Sequence, residues 1–199
     1  MKTTYINFPK VAVLLRNVNG PLIKERKLGI FPMLVILFVM LLASCGETEQ
    51  TLTIATGRSL ELYASTPELV GKVAFMDGEG NHRVIRPIAS NRKIAVVEVT
   101  IVNRSTTIVP LLVDAPAAEL GDRRTRRVEA VDVFEVAEII DAPDDEEGNY
   151  LPFLWGEVAL ERGTQVTGWM VFDVPKGLTL GSLWWNEVDD IIADFIVDR

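Results

Sequence analysis

The stretch Lys93-Ile94-Ala95-Val96-Val97-Glu98-Val99-Thr100-Ile101-Val102-Asn103 constrains this chain more than any other feature. It is rich in β-branched residues, which are stiff in a helix and pack well on a pleated surface. It is also long enough to run through the middle of a sheet. Shorter segments of the same kind surround it. Residues 51–56 and 59–64 alternate polar and apolar side chains at period two, which turns one face of each strand toward a core. Residues 69–76 read as a third strand, stopped by the turn residues Asp77-Gly78-Glu79-Gly80-Asn81, and residues 82–88 resume the pattern. Asn103-Arg104-Ser105-Thr106 reads as a turn from the long strand to a partner at residues 107–113. Residues 128–136, 155–160, 165–174, 180–185 and 191–197 complete the series, and residues 141–149 form a charged loop. Residues 115–120 and 136–140 have room for about one turn of helix each. Many short strands separated by turns predict an all-β fold, an antiparallel β-sandwich or barrel.

The formal net charge of −8 hides two populations. Residues 1–44 carry six Lys/Arg and one acid, a net +5, whereas residues 45–199 carry fourteen Lys/Arg and twenty-seven acids, a net −13. An acidic domain is the opposite of a nucleic-acid coat, so no nucleic-acid partner is expected. In the basic part, Lys24-Glu25-Arg26-Lys27 precedes an uncharged run from Leu28 to Leu42, closed by Ala43-Ser44-Cys45-Gly46. Basic, apolar and small residues in that order make an N-terminal signal, a hydrophobic helix whose positive end stays on the cytoplasmic side. Leu42-Ala43-Ser44-Cys45 resembles a bacterial lipobox. That resemblance implies that Cys45 receives a diacylglyceryl thioether and becomes the acylated N-terminus after cleavage. Several acyl chains anchor stably where one is marginal. The competing reading is an uncleaved transmembrane helix. Its 17 residues, Leu28 to Ser44, lie at the lower limit for spanning about 30 Å of hydrocarbon, and Pro32 shortens it further. Both readings place residues 46–199 outside the cytoplasmic membrane. The expected organisation is a lipoprotein signal peptide with a long n-region at 1–44, a tether at 45–50 and a β-domain at 51–199. The long n-region also fits initiation further in, near Leu22.

Two segments carry a family resemblance. Val96-Val97-Glu98-Val99-Thr100-Ile101-Val102-Asn103-Arg104-Ser105 is a long strand ending in an Asn-x-Ser turn. Leu160-Glu161-Arg162-Gly163-Thr164-Gln165-Val166-Thr167-Gly168-Trp169-Met170-Val171-Phe172-Asp173-Val174-Pro175 is a glycine turn followed by a second long strand. The pair resembles the telokin-like, immunoglobulin-fold secreted proteins and lipoproteins of bacteria, over roughly residues 90–196. The resemblance implies an immunoglobulin-like antiparallel β-sandwich. The residues explain the pattern: Gly163 turns the chain, Gly168 allows a bulge or close approach, and Val166, Met170, Phe172 and Val174 face a core. Pro175 removes a ladder donor and ends the strand. These are structural roles, and a sandwich hosts many functions.

One cysteine and one histidine, His82, exclude an internal disulfide and a Cys/His zinc site. His82 flanks a predicted turn, and no Gly-x-Ser-x-Gly elbow is present, so a non-enzymatic protein with no cofactor is expected. Asp77, Glu79 and Asn81 have the spacing that starts a calcium loop, but His82 stands where such a loop needs glycine, which favours a hairpin turn. Asp141, Asp144, Asp145, Glu146 and Glu147 would collect Ca²⁺ if their loop folded back on itself, and would otherwise be a solvated loop. All four tryptophans, Trp155, Trp169, Trp184 and Trp185, lie in the last 45 residues. Trp184 and Trp185 are adjacent, so in a strand they point to opposite faces. One exposed beside Glu187, Asp189 and Asp190 would suit a binding surface; the other reading is that both are packed and covered. Arg123, Arg124, Arg126 and Arg127 form a basic patch that would grip an anionic partner or lipid headgroups, or pair with neighbouring carboxylates. The leading expectation is a lipid-anchored extracytoplasmic binding module at the bacterial cell envelope, with an envelope protein or glycan as partner. The alternative is a calcium- or small-ligand-binding accessory lipoprotein that uses the acidic loop.

Overall fold

The structure is a computed structural model and describes residues 51–122, 124 and 126–195. In chain order the strands are β1 (Leu52–Thr56), β2 (Leu60–Ser65), β3 (Glu68–Val70), β4 (Val73–Met76), β5 (His82–Ile85), β6 (Arg92–Asn103) and β7 (Val109–Val113). A 3₁₀ turn at Ala115–Ala117 leads into β8 (Ala118–Gly121) and β9 (Arg127–Glu129). One helical turn, α1 (Val133–Val136), precedes β10 (Glu138–Ile140), β11 (Gly156–Leu160), β12 (Gln165–Pro175), β13 (Ser182–Trp185) and β14 (Ile191–Asp194). Every strand pairing is antiparallel. The domain is an all-β sandwich. Among the described residues no helix is long and apolar enough to cross a membrane. The lipobox and Cys45 lie outside the described residues.

Strand β6 organises the fold. Along one side it pairs with β12 over its length, from Arg92↔Pro175 to Val102↔Gln165. Its other side is shared by two strands, β2 against Val99–Asn103 and β3 against Ile94–Val96. Between β2 and β3 the chain passes through Pro67, which has no N–H to give a ladder. At this break the buried Ser65 hydroxyl accepts the Glu98 N–H at 2.9 Å. A two-stranded sheet (β11-β7) and a four-stranded sheet (β14-β13-β8-β9) lie opposite, and a three-stranded sheet (β10-β5-β4) completes the set.

The alternation along β6 explains the layers. Ala95, Val97, Val99 and Ile101 face the main core with Leu60 and Leu62 of β2, Met170, Phe172 and Val174 of β12, and Leu111, Leu120, Leu183 and Trp185 from the opposing sheets. Ile94 and Val96 point the other way, into a smaller core with Val73 and Phe75 of β4, Ile85 of β5, Val171 and Val133. A sheet buried on both faces needs a continuous apolar run, which Ile94–Val97 supplies. From Glu98 onward the even-numbered positions are only partly covered, so the small sheet sits over one end of β6 alone.

Three strand expectations change. Residues 69–76 are two strands: Gly71 and Lys72 separate β3 from β4, which join different sheets. The segment after Asn103 does not pair with β6 but crosses to β11. Buried Asn103 holds this corner, its Nδ2 donating to the carbonyls of Thr107 (2.8 Å) and Leu160 (2.9 Å) while its Oδ1 accepts Ser105 N–H. Residues 128–136 split into β9 and α1, because Asp132 caps the N–H groups of Phe134 and Glu135 and starts a helical turn. The glycine roles hold, but the turn at Gly163 is no hairpin, because β11 before it pairs with β7 and β12 after it pairs with β6. Gly163 has φ 71°, and a Cβ on Gly168 would lie 2.7 Å from the Leu154 nitrogen.

Candidate functional site

Of the two readings of the tryptophan pair, the packed and covered one holds. Trp185 is fully buried in the main core, and its indole N–H donates to the Glu187 carbonyl at 2.8 Å. Trp184 faces outward but is only 5% exposed, because the Arg127 guanidinium lies over its ring, 4.2 Å from the centroid. That cation–π cover needs a residue 57 positions away along the chain, so the pair alone could not announce it. The acids expected to rim an exposed tryptophan have other work. Glu187 Oε1 accepts from Leu112 N–H, and Asp189 Oδ2 accepts from Ser59 N–H (2.6 Å) and Leu60 N–H (2.8 Å).

The basic patch divides. Arg127 pairs with Glu119 at 3.0 Å while covering Trp184. Arg124 and Arg126 remain exposed in the turn between β8 and β9, and Arg123 lies outside the described residues. The acidic loop turns on itself from Asp144 to Asn149, but its carboxylates do not converge. Asp144 meets Lys72 at 2.6 Å, Glu147 meets His82 at 2.7 Å, and Gly148 N–H donates to the Ala74 carbonyl, so the loop is fastened to β4 and β5. The Lys72 hydrogen bond holds the Asp144 carboxyl below its ordinary range. Asp141, Asp145 and Glu146 stay exposed. Among the described residues no three His, Cys, Asp or Glu side chains gather to hold a metal, and the calcium reading of this loop has no cluster behind it. Asp77 is a hairpin residue: its carboxylate accepts from the N–H groups of Glu79 and Asn81 and from Arg83 Nε.

A different place has the form of a site. A groove of about 700 Å³ opens where the ends of β5, β6 and β12 meet β9. Its apolar lining includes Ile85 and Ile94, with Ile88 79% exposed at the mouth. Three ion pairs ring it: Arg86–Glu138 at 3.1 Å, Arg127–Glu119 at 3.0 Å and Arg92–Asp173 at 2.8 Å. The first two are exposed enough to be worth little. The third is not. Asp173 is 7% exposed, and Arg92 also donates through Nη2 to the Asp173 carbonyl. Asp173 Oδ2 takes Arg92 Nε, whereas its buried Oδ1 has no hydrogen-bond partner among the described residues. Glu119 and Glu129 stand directly opposite each other in the β8–β9 register, a like-charge pair of which Glu119 meets Arg127.

One wall of the groove is a strand edge that is open among the described residues. β9 is last in its sheet. Ala130 N–H bonds to the Ala118 carbonyl and Asp122 N–H to the Arg126 carbonyl, so the even-numbered residues face β8. In an antiparallel ladder the intervening residues, Arg127 and Glu129, turn their N–H and C=O away from it. Val131, next in that phase, donates to the Val171 carbonyl of β12 at 2.9 Å, so this side looks toward β12 and Asp173. Sequence reasoning singled out only Arg127 of this groove. Comparison with protein-family models, with curated proteins and with solved structures finds no match.

Proposed function

We propose that this chain is a lipid-anchored, extracytoplasmic, non-enzymatic binding module of the bacterial cell envelope, and that the groove between β9 and β12 is its binding surface. The groove carries the reading. It joins an apolar floor, a charged rim and an unpaired strand edge, a combination that serves recognition. Six of its seven charged side chains are carboxylates and guanidiniums engaged in three ion pairs, which positions a partner better than it transfers protons. The lipobox residues Leu42, Ala43, Ser44 and Cys45 and the polar tether after them support anchoring, and the telokin-like resemblance supports an envelope setting.

Crosslinking in intact cells followed by affinity capture tests this. A product captured with the wild-type chain should be lost with Ile88→Asp and with Glu129→Lys, both at the groove, and kept with Leu52→Asp on β1. Capture unchanged in both groove variants would remove the groove from the account.

A further inference from the structure

We infer that the groove binds an extended peptide segment carrying a basic side chain, its main chain added along β9 and its cation on Asp173; this rests on the groove being the binding surface. Two separate observations converge on it. The first is the edge. Arg127 and Glu129 present two N–H and two C=O groups away from β8 on the side that looks toward β12, the template that strand addition uses. The second is Asp173. A carboxylate that is more than nine-tenths buried, with one oxygen unmet, is costly to leave so, and a donor that reaches it gains more than a neutral hydrogen bond does.

Charge decides what that donor is. Glu119, Glu129, Glu138 and Asp173 outnumber Arg86, Arg92 and Arg127, and residues 45–199 carry −13, so the groove repels an anionic segment and attracts a cationic one. A bare metal ion fits poorly, since no three acidic groups converge among the described residues. An ammonium or guanidinium on a flexible stem fits better: its apolar stem can lie along the exposed groove side chains Ile88 and Val136 while its head turns to Asp173. Side chains along an added strand alternate, so a single basic residue suffices, with small or β-branched neighbours turned outward.

The test uses the full chain in detergent micelles and a capped pentapeptide of valine and threonine with a central lysine, titrated by calorimetry. Binding is expected, and replacing lysine by norleucine should weaken it about tenfold or more, the worth of a charge-assisted hydrogen bond. Asp173→Asn should remove the difference between the two peptides. Glu129→Pro, which deletes one outward N–H and leaves the bonds to β8, should weaken both peptides alike. Equal affinity for the two peptides overturns the role of Asp173 and needs no protein variant. Unchanged binding by Glu129→Pro overturns strand addition. No binding of either peptide overturns the whole inference, and loss of cellular capture in the Ile88→Asp and Glu129→Lys variants would then still leave the groove as the binding surface for a different ligand.

Discussion

Arg92 Nε meets Asp173 Oδ2 at 2.8 Å across the β6–β12 ladder, with 19% and 7% of the two side chains exposed. The pair joins the two longest strands at the end where the groove opens. Breaking a buried pair by removing one partner leaves an uncompensated charge and costs about 3–5 kcal/mol. Arg92→Ala should therefore destabilise the domain by about 3 kcal/mol in urea unfolding, toward the lower end because Arg92 keeps some solvent contact. Arg92→Met/Asp173→Leu, which removes both charges, should cost clearly less than Arg92→Ala. A double variant at least as unstable as the single one would contradict this view of the pair.

The two tryptophans should separate in unfolding and in fluorescence. Trp185→Ala empties a fully buried site and should cost about 3–5 kcal/mol. Arg127→Ala should cost no more than about 1–2 kcal/mol while uncovering Trp184, read as a red-shifted emission and stronger acrylamide quenching. An unchanged spectrum in Arg127→Ala would show that the guanidinium does not cover the ring in solution.

Acid stability should depend on the β4–β5 hairpin. The Arg83 hydrogen bond, then the Asn81 N–H, hold the Asp77 carboxyl well below the usual carboxylate range. A depressed folded value means that the unfolded chain binds the proton more readily. The stabilisation is therefore complete above the unfolded value of about 4 and disappears as pH falls through the lowered folded value. Asp77→Asn should flatten the acid limb of the stability–pH curve and leave the slope above pH 6 unchanged. An identical acid limb in the variant would argue against this contribution.

Tyr150 gives the opposite limb. Burial, followed by the Glu68 charge, pushes its phenol up to about 12. The folded state keeps this proton longer than the unfolded chain does, so stability should fall as pH rises from about 10 toward about 12. Ultraviolet titration should show a late tyrosinate step that Tyr150→Phe removes; a variant that keeps the late step would reassign it.

The anchor is tested by lipid labelling. A radiolabelled or alkyne fatty acid should label the wild-type chain and not Cys45→Ala. Label retained in the variant would rule out Cys45 as the modified residue.

Much of the fold was legible because it follows from local periodicity. Alternation at period two placed Leu60 and Leu62, and Met170, Phe172 and Val174, on the core faces of their strands. Gly168 announced a close backbone approach before the neighbour, Leu154, was known. The third sheet left a trace in Ile94–Val97, where alternation gives way to a continuous apolar run, but a run alone does not say what covers the second face. The corner at Asn103 was read as an ordinary turn because its second partner, the Leu160 carbonyl, is 57 residues away. The groove was illegible for the same reason. Arg92 and Asp173 are 81 residues apart, and neither stands out in its strand. A cluster along the chain is not a cluster in space. The five carboxylates at 141–147 are neighbours in sequence, yet Asp144 and Glu147 turn to Lys72 and His82.

The central claim is that the groove beside β9 is where this domain meets its partner. The most direct measurement places a photo-crosslinking amino acid, one position at a time, at Ile88 in the groove, at Leu52 on β1 and at Leu112 on the outer face of β7, followed by irradiation of intact cells. All three side chains are exposed, at 79%, 54% and 49%, so reach alone favours none strongly. The account predicts a discrete covalent product from position 88 and none of matching yield from 52 or 112. Equal or greater yield from either of the other faces would contradict it.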